Sequence, residues 1–303
     1  MIRLTALSAL ALLGLAACAT QSPQTSRQNP APALRDPDQL AALALRSWRI
    51  DGNTEQALTS IARATEQAPD RQDLMWLHMR LCNEARSCEP EPIEARFRKA
   101  DPQNGAAWLG VLGRAQARRD GRAEDQILEA MSRAENFDVR WTSLLWRLTE
   151  AIRSAMGSGE RPVTTALDRA TELLSAVAVP AFAPLSAACS PQSTRDSNRA
   201  IRCERIAQAL RNSDTTLAEG IGLGIAQRVA APNSAVASTL EDRVTTLTYR
   251  SQVAGSVIRS QVEREKFSVE MLELLKKLRR EQDVSVAILR WAGEPLNPQS
   301  AGP

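Results

Sequence analysis

The chain has 303 residues, with 38 Lys and Arg against 35 Asp and Glu and a formal net charge of +3. This near balance argues against nucleic acid or another strongly charged polymer as the ligand. Aromatic residues make up only 4% of the chain while Ala and Leu abound, so helix is favoured nearly throughout and an all-α fold is predicted.

The amino terminus, MIRLTALSALALLGLAAC, contains one basic residue, an apolar run from Leu4 to Leu15, and small residues before Cys18. The run is shorter than the ~20 apolar residues that span a bilayer, so it indicates a secretory signal. With Cys18 at the cut, Leu15-Ala16-Ala17-Cys18 resembles the lipobox of bacterial lipoproteins. The resemblance implies removal of residues 1–17 and a lipid on Cys18, whereas an ordinary signal peptide with a chance cysteine is the alternative.

The lipid would tie the chain to a membrane of the cell envelope. Lipoproteins of enterobacterial type carry Asp after the cysteine when they stay in the inner membrane, so Ala19 favours the outer membrane, facing the periplasm. Residues 18–35 are rich in Pro, Ser, Gln and Thr and are predicted to be a disordered tether that spans roughly 20–25 Å.

The four remaining cysteines are an even number, which in an oxidising compartment predicts two disulfides. Three pairings are possible, and free buried thiols are the alternative. The local pairing is favoured because each pair flanks a turn-like sequence; it joins Cys82 to Cys88 and Cys189 to Cys203.

Residues 36–156 carry small and apolar residues at helical spacing. A helix capped by Asp38 is predicted first, followed by a second from about 54 to 67, in which Ala57, Ile61 and Ala64 precede Pro69. This spacing resembles the second helix of a tetratricopeptide repeat. The resemblance implies a solenoid of helical hairpins, whose groove takes a peptide or helix from another protein.

The pattern recurs with a period of about 33 residues, which is typical of this repeat class. The recurring positions are Pro69 and Pro102; Trp76, Trp108 and Trp141; and Ala57, Ile61 and Ala64 with Ala123, Ile127 and Ala130. The middle repeat is shifted, with Ile93, Phe97 and Ala100 in its second helix, and the turn between Cys82 and Cys88 accounts for the shift. A non-repeating helical domain with coincidental spacing is the alternative.

The sequence GSGERP at 157–162 predicts a boundary, after which 160–290 is expected to form a further helical region of no recognised family. Helices are expected at about 163–179, 196–212, 214–230 and 233–255, followed by a long one at about 257–289. The tail, 291–303, is expected to be flexible.

His78, the single histidine, lies four residues before Cys82, a spacing that two metal ligands on a helix could share. Zinc needs three or four ligands, and a disulfide at Cys82 would remove one of these two, so a histidine without a metal is the preferred interpretation. A single histidine and no GxSxG motif also argue against a Ser-His-Asp triad.

Two further patterns have ordinary structural explanations. Gly220, Gly222 and Gly224 hint at a phosphate-binding loop, but no strand precedes them, so a close helix crossing at Gly220 and Gly224 is preferred. The cations Lys276, Lys277, Arg279 and Arg280 are predicted to lie on a solvated helix face. No cofactor, metal, nucleotide or nucleic acid is therefore expected, and no catalytic residue is assigned.

The leading hypothesis is a non-enzymatic, lipid-anchored envelope protein that offers a helical-repeat surface to another envelope protein. The first alternative is a periplasmic enzyme that acts on the cell wall, with its site in the C-terminal half. A deep cleft holding two or more carboxylates near Arg or Ser would favour it. The second alternative is a structural lipoprotein that stabilises a larger assembly through the helix at 257–289.

Overall fold

The computed structural model describes residues 36–156, 162–178 and 182–298, and these residues form fourteen α-helices and no strand. The predicted all-α class is therefore confirmed. The signal sequence, Cys18 and the tether lie outside the described residues, as does most of the predicted boundary at 157–162. Among the helices described, none combines the length and apolarity that crossing a bilayer requires.

The helices of the first half are α1 (Pro37–Arg49), α2 (Thr54–Gln67), α3 (Gln72–Glu84), α4 (Glu91–Ala100), α5 (Leu109–Ala117), α6 (Gly121–Met131) and α7 (Trp141–Ala155). Those of the second half are α8 (Val163–Ala178), α9 (Ala183–Ala188), α10 (Ser197–Arg211), α11 (Thr216–Val229), α12 (Ala235–Ser260), α13 (Arg264–Lys277) and α14 (Glu281–Ala292). A single turn of 3-10 helix, Gly105–Trp108, leads into α5.

The cap of the first helix differs from the prediction. Asp36, not Asp38, caps α1, and its carboxylate accepts a hydrogen bond from the Asp38 N–H at 2.8 Å. Pro37 favours this start because its fixed φ suits the first helical turn, where its missing N–H is not needed. The Asp38 side chain is thereby free to pair with Arg71 of the loop before α3, at 2.8 Å.

The residues predicted to pack the repeats differ in burial. Ala57, Ile61 and Ala64 of α2 are fully buried, as is Trp76 of α3. Ile127 of α6 is buried, but its neighbours in the pattern, Ala123 and Ala130, are only half-buried. Pro69 and Pro102 each lie two residues beyond the end of a helix, where Pro commonly follows a helix terminus.

The tryptophan period does not place the three side chains at equivalent positions. Trp76 lies in the second turn of α3, whereas Trp108 closes the 3-10 turn before α5 and Trp141 is the first residue of α7. Trp108 and Trp141 are half-buried against the core. The three tryptophans are therefore evenly spaced in the sequence but are buried to different extents in the core.

The packing order departs from a linear array. Successive helices pack as α1 on α2, α2 on α3, α3 on α4 and α5 on α6, as hairpins should. However, α7 also packs across α1 and α3, and α8 packs on α1. In a linear solenoid each hairpin contacts only its neighbours. The described helices instead return to α1 and belong to one compact unit.

The long helix predicted at 257–289 is wrong, because three helices share this stretch. The first, α12, runs through to Ser260, and breaks at 261–263 and 278–280 separate it from α13 and α14. The breaks follow from packing, since α13 contacts α7 and α8 whereas α14 contacts α12. A single straight helix could not bury apolar residues against both partners.

The first residues of the tail that was predicted to be flexible are bound to the folded protein. Residues 293–298 lie along α12, where Arg250 Nε donates to the Leu296 carbonyl at 2.8 Å and a second guanidinium nitrogen donates to Asn297 Oδ1 at 3.2 Å. The Leu296 side chain is half-buried against the core. The remaining residues, 299–303, lie outside the described part of the chain.

Candidate functional site

A charged cleft of about 900 Å³ lies where the beginnings of α3 and α7, the α10–α11 turn and the α13–α14 turn meet. Seven Lys or Arg and five Asp line it. These elements come from widely separated parts of the sequence, so no local motif marks the site. The cleft is the largest of the cavities described and is the candidate functional site.

Arg140 enters the cleft from a strained backbone position. It precedes the first residue of α7 with φ 59° and ψ 35°, the left-handed conformation that costs a residue with a side chain roughly 1–2 kcal/mol. Asp214, in the turn between α10 and α11, holds it there. The two Asp214 carboxylate oxygens accept the Val139 and Trp141 N–H groups, both at 2.9 Å.

Further hydrogen bonds tie the α10–α11 turn to the other walls of the cleft. The Ser213 hydroxyl accepts from the Phe137 N–H at 2.7 Å, and the Asp214 carbonyl accepts from the Glu281 N–H at 2.8 Å. The Thr142 hydroxyl of α7 donates to the Arg279 carbonyl at 2.7 Å. The α13–α14 turn is therefore fixed against α7 and the α10–α11 turn together.

Burial and neighbouring charges shift the pKa values of the acidic side chains deepest in the cleft. Burial, followed by the charge of Asp138, raises the pKa of Asp214 to about 7. Burial also raises the pKa of Asp138, against the pull of Arg140. Burial alone would raise the pKa of Asp73 as well, but its ion pair with Arg71 outweighs burial and the pKa is lowered.

Two arginines of the cleft, Arg140 and Arg147, each have a buried Nε without a hydrogen-bond partner among the described residues. Arg140 pairs with Asp101 and Asp138, yet its Nε has no hydrogen-bond partner among the described residues. The Arg147 Nε likewise has no hydrogen-bond partner among the described residues, although Arg147 forms ion pairs with Asp38 at 3.5 Å and Asp73 at 3.9 Å. Its guanidinium lies 4.2 Å from the ring centre of Trp146. Such stacking holds the planar donor group in one orientation.

The predicted solvated helix face at 276–280 is instead part of the cleft wall. Lys276 and Lys277 end α13, whereas Arg279 and Arg280 lie in or next to the turn before α14, so the four do not share one helix face. Lys276 pairs with Glu150 at 3.0 Å. Lys277 and Arg279 are exposed and form no ion pair with any described residue.

The two predicted disulfides are present with the local pairing. Cys82 bonds to Cys88, with Cα atoms 5.2 Å apart, and Cys189 bonds to Cys203, with Cα atoms 5.8 Å apart. The Cys82 sulfur is therefore not available as a metal ligand beside His78. Among the described residues no cluster of His, Cys, Asp and Glu has metal-binding geometry.

His78 is a partly buried structural residue. Its Nδ1 lies 3.2 Å from the Thr65 hydroxyl, and that hydroxyl donates its own proton to the Ala62 carbonyl at 2.8 Å. His78 Nδ1 must therefore be the donor to Thr65. Burial, followed by the charge of Arg96, lowers the pKa of His78 to about 4, so the ring is neutral at physiological pH.

The predicted close crossing at Gly220 and Gly224 is wrong in position. A Cβ on Gly222 would lie 2.8 Å from the Ala207 carbonyl oxygen and 2.8 Å from the Leu210 Cβ of α10, so Gly222 is the crossing point. A Cβ on Gly224 would meet nothing within 4 Å. The reason is the period of the helix, because Gly220 and Gly224 lie on the face turned away from α10.

Sequence reasoning did not single out Arg140 or Asp214, and it placed Arg279 and Arg280 on a helix face instead of in the α13–α14 turn. The available signal was the polar stretch Ser213-Asp214-Thr215 where one predicted helix ends and the next begins. Such a stretch indicates a helix start, but not the backbone segment that Asp214 binds. Comparison with known protein families, curated proteins and solved structures found no match to this chain.

Proposed function

We propose that the chain is a lipid-anchored protein of the bacterial cell envelope that holds a segment of another envelope protein in the charged cleft. The lipobox-like sequence supports the anchor, and the two disulfides are consistent with an oxidising compartment. The cleft supports binding, since it is open to solvent and its walls are fixed to one another by hydrogen bonds.

One observation carries the proposal. Asp214 is buried in the cleft and holds backbone in place, while Lys277 and Arg279 are exposed at the cleft and form no ion pair with any described residue. A catalytic carboxylate must reach the proton or carbon on which it acts. Both oxygens of Asp214 already accept backbone hydrogen bonds, so this cleft is better suited to recognition than to acid–base chemistry.

The alternative of an enzyme acting on the cell wall is favoured by a specific feature. Asp138 and Asp214 are neighbouring carboxylates with raised pKa values, in a cleft that also contains Ser143 and arginine side chains. If the purified chain releases soluble fragments from cell-wall sacculi and Asp138→Asn abolishes the release, the enzyme replaces the scaffold. We expect no such release.

Membrane attachment is tested in the native host. Cys18→Ser should shift the protein from the membrane fraction to the soluble envelope fraction, and mass spectrometry of the wild type should find a lipid-modified Cys18. An unmodified Cys18 thiol in the wild type would refute the anchor.

Use of the cleft is tested by site-specific photo-crosslinking. A photoreactive residue replacing Lys277, at the rim of the cleft, should form a discrete adduct with an envelope protein. The same residue replacing Arg63, which is exposed on α2 away from the cleft, should not. Equal labelling from both positions, or none from Lys277, would contradict the proposal.

A further inference from the structure

The charged cleft also shows what kind of segment it would hold. Its inner carboxylates are committed: Asp73 accepts two bonds from Arg71, each at 2.7 Å, and one from the Ser143 hydroxyl at 3.2 Å. Asp214 accepts two backbone bonds. An incoming ligand therefore meets the exposed cations Lys277 and Arg279, which form no ion pair with any described residue, while the inner carboxylates Asp73 and Asp214 are already bonded.

The cations reach the cleft from two elements that are fixed to each other, α7 and the end of α13 with the turn that follows it. Arg140 lies at the backbone position that Asp214 holds, just before α7, and the Arg147 guanidinium lies over the Trp146 ring on α7. Lys277 ends α13, and Arg279 lies in the turn that Thr142 holds. Donors held in place before binding lose little conformational freedom when a ligand arrives. Guanidinium groups match the two oxygens of a carboxylate in geometry.

We propose that the cleft binds a short acidic segment of a partner protein through Lys277 and Arg279 at its rim, with Arg140 and Arg147 contributing positive charge deeper in the cleft. This inference rests on the proposed function, because it names the chemistry of the ligand for the same cleft. Clusters of arginine and lysine are a recurrent means of recognising acidic peptide motifs.

The mixed lining of the cleft favours a peptide over the anionic headgroups of a membrane. Asp70 and Asp283 are exposed, line the cleft and form no ion pair with any described residue. They would repel a continuous negative surface, whereas they can accept hydrogen bonds from the backbone N–H groups of a peptide. A planar headgroup layer also cannot enter a cleft between helices, but an extended segment can.

The test uses the full chain and a labelled probe peptide of about six residues in which Glu and Leu alternate. Fluorescence anisotropy should show binding that weakens strongly when salt is raised from about 50 to about 500 mM, because charge pairing is screened. The same peptide with Gln in place of Glu should bind at least about tenfold more weakly.

Two charge-reversed variants distinguish binding at the cleft from an effect of the protein's overall net charge. Lys277→Glu with Arg279→Glu should weaken binding of the Glu peptide at least about tenfold. Arg259→Glu with Lys266→Glu makes the same change in net charge at exposed positions outside the cleft, and should change the affinity less than about twofold. Lys277→Gln with Arg279→Gln should give an intermediate loss, and circular dichroism should verify that every variant is folded.

Three outcomes would overturn the inference: no binding of the Glu peptide, equal binding of the Gln peptide, or equal loss in both charge-reversed variants. Stronger binding to phosphatidylglycerol vesicles than to the peptide, with the same dependence on Lys277 and Arg279, would replace the peptide by a membrane. If the crosslink from the cleft rim persists while the peptide fails to bind, the scaffold function stands and only the acidic character of the partner is refuted.

Discussion

Asp214 holds Arg140 in a left-handed backbone conformation by accepting the N–H groups of the residues on either side of it, each at 2.9 Å. The two residues are far apart in sequence, and none of the hydrogen bonds described joins the Asp214 carboxylate to the Arg140 guanidinium. The acid therefore acts on the backbone, and through it determines where the Arg140 side chain enters the cleft.

Replacing Asp214 by Asn should destabilise the protein by about 1–3 kcal/mol, because the amide NH₂ cannot accept a bond and one buried backbone N–H is left unpaired. Urea unfolding monitored by circular dichroism measures the change. Asp138→Asn is the matched control and should cost less, since the Asp138 carboxylate lies 3.4 Å from Arg140 whereas the Asp214 carboxylate accepts two backbone bonds at 2.9 Å.

The same variant tests the raised pKa of Asp214. A carboxyl whose folded pKa of about 7 exceeds its usual 3.8 binds its proton more tightly in the folded state, so stability falls as pH rises between these values. The advantage of wild type over Asp214→Asn should therefore shrink from pH 4 to pH 7. If the stability advantage of wild type instead grows from pH 4 to pH 7, the pKa of Asp214 is not raised by burial.

Gly222 and Gly224 provide a matched pair on α11. Gly222→Ala should destabilise by about 1–3 kcal/mol, since the new methyl group would press on Ala207 and Leu210 of α10. Gly224→Ala should stabilise by up to about 1 kcal/mol, because the methyl group meets open space and alanine favours helix. Thermal unfolding of the two variants measures both changes. If Gly222→Ala stabilises the protein, α10 and α11 can move apart without a loss of stability.

The sequence was sufficient where local chemistry decides the structure. The all-α class follows from composition, and the two disulfides follow from an even number of cysteines placed around short turns. Ala57, Ile61 and Ala64 are buried where helical spacing places them on one face. Each of these inferences needs only residues that are near one another in the chain.

The charged cleft could not be predicted in the same way. The bond between Asp214 and the Arg140 backbone depends on how α7 and the α10–α11 turn meet, which no local pattern records. The packing of α7 back onto α1 likewise depends on tertiary contacts that a repeat period does not contain. The long helix predicted at 257–289 failed for this reason too, since its apolar residues serve two different partners.

His78 should make stability fall in mild acid. Its pKa is about 4 in the folded protein against 6.5 when exposed, so its contribution is fully present above pH 6.5 and is lost as pH falls toward 4. The loss is at most about 3 kcal/mol. His78→Asn, which keeps a donor near Thr65 but does not titrate, should unfold with a smaller loss between these pH values. Identical pH profiles for the two proteins would contradict a buried, neutral His78.

The two disulfides should differ in their contribution and in their resistance to reduction. Replacing Cys189 and Cys203 by Ala should cost about 3 kcal/mol, and replacing Cys82 and Cys88 about 2 kcal/mol, because the first pair closes the longer loop of the unfolded chain. Cys189 and Cys203 are both fully buried, whereas Cys88 is partly exposed. Increasing thiol concentration should therefore open Cys82–Cys88 first, as mass spectrometry of alkylated peptides would show. Earlier alkylation of Cys203 would mean that α10 leaves the core before the Cys82–Cys88 turn is attacked.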